Sequence, residues 1–262
     1  MTESERGATE LSSFAQGIAL IDAVVRRERS GRSGYSSSQL AEATGIERSR
    51  VSRLSQELLE MRLLEKALDG TLRVGSAYFA LGASRHDAWL REARIGLRRL
   101  ASSERTSVRV LAADGPRAVL LRFESGHGAP DAAVRPGMVT PIWSTGGGRA
   151  LLWHRERTEI LDLLAASSFI GVGGPNASRS PADVVDRLEQ DRGTGYIEAV
   201  EEFEYGVVEI AAPVLVEGDA VAAVTAACHS TDTQARARLR TEVPRLAMHL
   251  GSIAGRPVVP AD

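Results

Sequence analysis

The stretch SSQLAEATGIERSRVSRL, residues Ser37 to Leu54, decides the fold of the N-terminal part of this chain. Leu40 and Ala41 fall where a first short helix needs apolar and small side chains, Gly45 stands at a turn, and Ile46, Val51 and Leu54 resume the apolar spacing on a second helix. Two helices cross closely only if the residue at the crossing is small and the turn tolerates a left-handed backbone, conditions that Ala41 and Gly45 meet. Arg48, Ser49, Arg50, Ser52 and Arg53 then face outward. Such side chains hydrogen-bond phosphate oxygens and guanine edges in a DNA major groove, so the spacing predicts a helix-turn-helix that meets DNA. Arg48 and Ser49, at the start of the second helix, suit phosphates; Arg50 and Arg53 suit bases or phosphates, and Ser37 opens the first helix on the same side.

Upstream, Phe14, Ile18, Leu20, Ile21, Val24 and Val25 recur with helical spacing, which gives a first helix from Phe14 to Arg29 carrying Arg26-Arg27 near its end. Positive charge there complements the helix dipole. Met1 to Glu10 has no apolar period and reads as a disordered leader, while Arg29 to Tyr35 reads as a loop. Downstream, the second helix of the motif runs on to about Met61, and Leu63 to Val74 alternates about Asp69-Gly70, a two-residue hairpin turn. Three helices and a hairpin make a winged helix over residues 11–75, with Lys66 and Arg73 on the wing placed either to touch phosphates or only to solubilise it.

Residues 76–102 read as a helical linker, amphipathic from Tyr78 to Leu100 and interrupted near Gly82. Its apolar face around Trp89 either pairs two subunits or packs on its own domain. Beyond Ser102 short strands mix with helices: Val108 to Ala112 and Ala118 to Phe123 flank Asp114-Gly115-Pro116 as a hairpin, and helices follow at Gly146 to Trp153, Ile160 to Leu164 and Ser180 to Leu188. Strands at Tyr196 to Val200, Val207 to Val216 and Ala220 to Cys228, then a helix from Thr233 to Ile253, complete an α+β domain over 103–254, with one antiparallel sheet flanked by helices and an irregular tail at 255–262.

At 262 residues the chain has room for two domains, and its 43% hydrophobic and 25% charged residues are ordinary for a globular protein. It holds no long apolar run and its first ten residues are polar, so neither a membrane span nor a secretory leader is expected and a cytoplasmic location is. The net charge of -2 hides a local surplus: from Leu20 to Lys66 there are nine Arg or Lys against seven Asp or Glu. That surplus is small, so tight DNA binding would lean on dimerisation. The one cysteine, Cys228, excludes an internal disulfide and lies in an apolar strand, where it reads as a small buried hydrophobe. The five histidines, at 86, 127, 154, 229 and 249, show no metal-ligand spacing, and no Gly-x-Ser-x-Gly elbow is present. No catalytic residue, metal or cofactor is therefore assigned.

In the second domain, Thr145-Gly146-Gly147-Gly148-Arg149 lacks the Lys-Ser/Thr ending of a P-loop. Its amides, at the start of a helix, would attract a carboxylate; alternatively its glycines serve close packing of helix on sheet. Glu209 shares one strand face with Val207 and Ala211, and an inward carboxylate must find a partner or raise its pKa. That partner is either an arginine such as Arg149 or Arg135, or a hydroxyl or amine of a bound ligand. Together these features suit a small ligand with an anionic or acceptor end on the amides near Gly148 and a donor end on Glu209.

Four stretches, GIERSRVSRLSQELLEMRLLEK, STGGGRALL from Ser144, GYIEAVEEFEYGVVEIAAPV from Gly195 and AVAAVTAAC from Ala220, resemble the IclR family of bacterial transcription regulators over about residues 11 to 254. Glu201-Glu202, Gly206 and Ile210-Ala211-Ala212-Pro213 carry the most specific spacing. The resemblance implies a GAF-like effector-binding second domain and a homodimer or dimer of dimers (a homotetramer) on operator DNA. It implies repression ahead of activation, and a small polar or carboxylate-bearing effector. The effector residues it points to are Thr145, Gly146, Gly147, Gly148, Ala199, Val207, Glu209, Thr225 and Ala227. The chain departs from the family pattern at Glu47, where Pro is usual, at Arg50, where Thr is, and at Glu209, where many members carry Cys; Ala199 and Ala227 stand at positions often acidic and Ser. Two other readings stay open, an enzyme turning over a small molecule in the second domain and a regulator without an effector.

Overall fold

The computed structural model describes residues 12–83, 88–127 and 134–255. The expected leader and all of the expected tail beyond Gly255 lie outside these residues. The chain divides into two compact units, the first ending at Tyr78 and the second starting at Phe79.

In the first unit α1 (Ser13–Arg29), α2 (Ser37–Thr44) and α3 (Arg48–Glu60) pack around Leu20, Val24, Leu40, Val51 and Leu54, all buried. Ser36 and Gln39 form a reciprocal capping box at the start of α2, and Gly45 ends that helix at φ 69, the left-handed conformation the turn requires. The wing is β1 (Leu64–Lys66) and β2 (Leu72–Val74), antiparallel with Glu65 opposite Arg73. Its connection is longer than a two-residue turn: Ala67 donates to Thr71 O, Gly70 donates to Ala67 O, and Gly70 takes φ 80. That geometry is a turn closed by a left-handed glycine, and Asp69 braces it by accepting from the Thr71 amide and hydroxyl. Within the segment read as a loop, Tyr35 pairs with Leu72 and extends the wing by one bridge. The Glu28 carboxylate, buried on α1, accepts from the Val74 amide at 3.3 Å and ties helix to wing.

The second unit is α+β. After α4 (Ser76–Ala83) come α5 (Ala88–Glu104), β3 (Ser107–Asp114), β4 (Arg117–Ser125), β5 (Val139–Pro141), α6 (Gly146–Ala150), α7 (Arg157–Leu164), α8 (Pro181–Arg192), β6 (Ile197–Val200), β7 (Val207–Val216), β8 (Asp219–His229) and α9 (Thr233–Ala254). The six strands form one antiparallel sheet in the order β5-β4-β3-β8-β7-β6. Alternation along β7 sorts the two faces: Val208, Ile210, Ala212 and Val214 join one core with α5 and α9, whereas Ala211 joins the other with α6, α7 and α8. The stretch read as a linker is thus, from Ala88 onward, a layer of this unit, since Leu90, Ala93, Leu97 and Leu100 are buried against the sheet. The glycine-rich helix is also shorter than expected, with five residues in place of eight.

Candidate functional site

Two places gather the residues singled out by sequence. The first is the outer face of α3, where Arg48, Ser49, Ser52 and Arg53 are exposed and Arg50 is half-buried. The Arg48 guanidinium donates to Ser38 Oγ on α2, which fixes the beginning of one helix against the other. The Ser49 hydroxyl donates to Glu47 Oε1 at 2.6 Å, so Glu47 holds a carboxylate at the start of α3 without capping its backbone. Ser37 is exposed at the start of α2. On the wing Lys66 is exposed, while Arg73 is half-buried with its Nε turned inward. Of the two wing cations Lys66 is the one presented to solvent.

The second is a cavity of about 510 Å³ on the α6 face of the sheet. Arg109 and Leu111 of β3, Leu120 of β4, Val207 and Glu209 of β7 and Ala227 of β8 line it, as do Thr140 and Thr145. Val134 and Met138 close one side, and Phe203 and Glu204 of the loop between β6 and β7 close another. Of the residues expected to meet an effector, Thr145, Val207, Glu209 and Ala227 form its wall. Gly146, Gly147, Ala199 and Thr225 are instead packed around the Glu209 side chain, and Gly148 lies against the Ile142 backbone.

Glu209 is the centre of this arrangement. Its Oε2 accepts from the Gly146 amide at 2.7 Å and from the Gly147 amide at 3.4 Å, and its Oε1 accepts from the Thr225 hydroxyl at 2.6 Å. The register of β7 on β8 sets Glu209 opposite Ala227 and two pairs away from Thr225, on the same face of the sheet, which brings that hydroxyl within reach. Glycine suits this close approach: a Cβ on Gly146 would crowd Glu209 Oε2 at 3.1 Å, and one on Gly147 would collide with the Leu111 and Thr225 side chains. The third amide, of Gly148, is bonded to Thr145 Oγ1 at 2.9 Å. The amides expected to await a ligand carboxylate are therefore already bonded within the chain. The carboxylate that the first two hold is Glu209 itself.

Neither arginine weighed as a partner for Glu209 takes that role. Arg149, 1% exposed, donates to Asp191 Oδ2 at 2.8 Å and to Glu202, whose other oxygen pairs with Arg187 at 3.0 Å. Burial opposes the charge on Arg149, but Glu202 and Asp191 more than restore it and raise its pKa above the ordinary value. Arg135 is exposed. The buried network joins α6 to α8 and to the Glu201-Glu202 turn, where Glu201 adopts φ 54 and accepts from the Gly206 amide at 3.1 Å. The family-specific spacing around Glu201, Glu202 and Gly206 thus shapes the loop that carries Phe203 and Glu204 to the cavity.

Sequence reasoning missed Arg109, Leu111, Leu120, Met138 and Phe203 as wall residues. Arg109 left a trace, a charge alternating with Val108 and Val110 on a strand that is otherwise apolar. The others are apolar residues that nothing in a strand pattern separates from core.

These features define a two-part protein, a winged helix with an exposed cationic face on α3 and a separate α+β domain with a lined cavity. Residues 84–250 match the family model of the IclR C-terminal domain of bacterial transcriptional regulators. The chain belongs to the IclR family. Its fold is similar to that of the IclR protein of Thermotoga maritima (TM-score 0.61, 19% identity, 93% of this chain and 99% of that one). It is similar also to an IclR homolog of Microbacterium hydrocarbonoxydans complexed with 4-hydroxybenzoate (0.59, 20%, 91% and 98%). A third is the IclR transcriptional regulator of Alicyclobacillus acidocaldarius (0.60, 16%, 94% and 100%). No protein of curated function matches the sequence significantly. The second unit is thus the GAF-like domain of this family, and no helix among the described residues is long and apolar enough to cross a membrane.

Proposed function

We propose that the chain is a ligand-responsive, DNA-binding transcription regulator, a repressor acting as a homodimer or dimer of dimers in the cytoplasm. The observation that carries this reading is the pairing of an outward cationic α3 face with a lined cavity in the other unit. Arg50 and Arg53 contact bases or phosphates, Arg48, Ser49, Ser52 and Ser37 contact mainly phosphates, and Lys66 adds a wing contact. A small polar effector sits in the cavity against Thr145, Val207, Glu209 and Ala227, and Glu209 accepts a hydrogen bond from it. To change DNA binding, that effector must have unequal affinity for the DNA-competent and incompetent states.

The enzymatic alternative needs a nucleophile and a base converging on the cavity. Cys228 and His229 are adjacent there, but neighbours in a strand point to opposite faces. Cys228 packs against the α9 core, burial pushes its thiol pKa up, and His229 bonds Thr231 at 2.8 Å. That arrangement favours binding over turnover. Incubating the full chain with a ligand it binds and analysing the mixture for product tests the choice: unchanged ligand agrees with a regulator, and product formation contradicts it.

A further inference from the structure

Glu209 is a carboxylate already seated in a carboxylate cradle, with two backbone amides and the Thr225 hydroxyl around it. An ionised carboxylate has about four lone-pair sites, so these three donors leave one acceptor direction open. Glu209 is 8% exposed and lines the cavity, so the acceptor position left over is offered to a ligand from that side. No Lys or Arg pairs with it among the described residues, because Arg149 is committed to Asp191 and Glu202. Among the described residues the wall is acidic: Glu104, Glu204, Glu209 and Asp232 outnumber Arg105 and Arg109 by two charges, one of them offset from outside by Arg238 on Glu104. Between the charges the surface is apolar, with Leu111, Leu120, Val207 and Phe203.

Resting on the effector-pocket reading above, we propose that this cavity takes an organic cation, a protonated amine on an apolar body, and turns away carboxylates. The amine donates to the open edge of Glu209 in an ion-paired hydrogen bond, and the apolar body lies against Leu111, Leu120 and Val207. A ligand carboxylate finds the Gly146 and Gly147 amides filled and meets the Glu209 charge. Glycine at 146 and 147 belongs to the same device, since a Cβ on Gly146 would crowd Glu209 Oε2 at 3.1 Å and one on Gly147 would collide with the side chain of Thr225, the third donor to Glu209.

Calorimetric titration of the full chain with three probes of one shape, 4-hydroxybenzylamine, 4-hydroxybenzyl alcohol and 4-hydroxybenzoate, tests this. The expected order is amine ahead of alcohol by about tenfold, with the benzoate weakest. In Glu209→Gln the charge is lost while the shape is kept, and the advantage of the amine over the alcohol disappears. In Glu209→Ala the cradle opens and the benzoate becomes the tightest of the three. Thermal melting reports whether each variant folds, and the Glu209→Gln comparison decides alone if the alanine variant does not. Benzoate binding to the unaltered chain as tightly as the amine, no measurable amine binding, or an unchanged ratio in Glu209→Gln would overturn the proposal. Sequence-specific DNA binding is measured in parallel on the same preparation. Its retention alongside a failed amine preference removes only the ligand class, whereas its loss with the preference intact removes the regulator reading and keeps the amine site.

Discussion

Among the described residues, the buried Glu209 carboxyl is held by two amides and a hydroxyl and by no Lys or Arg. Each hydrogen bond to an ionised group contributes about 1.5 to 3 kcal/mol, and three of them offset much of what burial costs the carboxylate. Thr225→Val keeps the volume but removes one donor, and it should lower unfolding free energy by about 1 to 3 kcal/mol, read from the urea midpoint at constant slope. No change would mean that the Thr225 bond contributes nothing. Arg149 is the opposite case, a cation enclosed by Glu202 and Asp191. Arg149→Met leaves both carboxylates without it in a buried site, so a loss of about 3 to 5 kcal/mol is expected. Arg149→Lys should recover only part, because an ammonium cannot reproduce a guanidinium that serves two carboxylates from different nitrogens. A fully stable methionine variant would show that the network only fills space.

Among elements, the turn before α3 and the seam between β6 and α9 are the most easily tested. Gly45 takes φ 69 with nothing within 4 Å of a would-be Cβ, so Gly45→Ala isolates backbone strain from crowding. It should cost about 1 to 2 kcal/mol in thermal or chemical melting. Burial works to raise the pKa of Glu198 on β6, but hydrogen bonds from Arg240 and Arg236 on α9 together outweigh it and leave the carboxyl below its ordinary value. A carboxyl depressed in the folded state adds stability above its unfolded pKa and loses it as pH falls through the folded one. Amide exchange in β6 and along α9 should therefore speed up below the ordinary carboxylate range, and Glu198→Gln should remove that acid sensitivity. Equal acid response in both proteins would contradict the link.

How far these elements were legible depends on how local their causes are. The apolar period of α1 and α3, the Gly45 turn and the Ser180-Pro181 start of α8 are written within a few residues, and all appear where expected. The inward face of Glu209 was legible for the same reason, since a strand alternates with period two. Its partners were not: Gly146 lies 63 residues away and Thr225 is brought close only by the β7–β8 register. The amphipathic period of α5 could not say which surface its apolar stripe covers, because periodicity names a face and not its partner. Tyr35 reads as loop in the sequence because a single bridge leaves no alternation to read.

For the whole molecule, a net charge of -2 supplies no overall attraction to DNA, so the proposed function requires it from local placement on α3 and the wing. Arg50→Ala should then weaken operator binding by about 1 to 3 kcal/mol if it reads a base, with relaxed preference at one position; a phosphate contact would instead weaken all sequences alike and flatten the salt dependence by about one unit. A dimer placing two α3 helices in successive major grooves fixes the half-site spacing at about one helical turn or a multiple of it. The most direct test is selection and sequencing of genomic fragments bound by the full chain at a fixed salt concentration. The account predicts enrichment of fragments that share an inverted repeat with that spacing, and its loss in Arg50→Ala. Fragments with no common sequence, or the same enrichment in the variant, would contradict it.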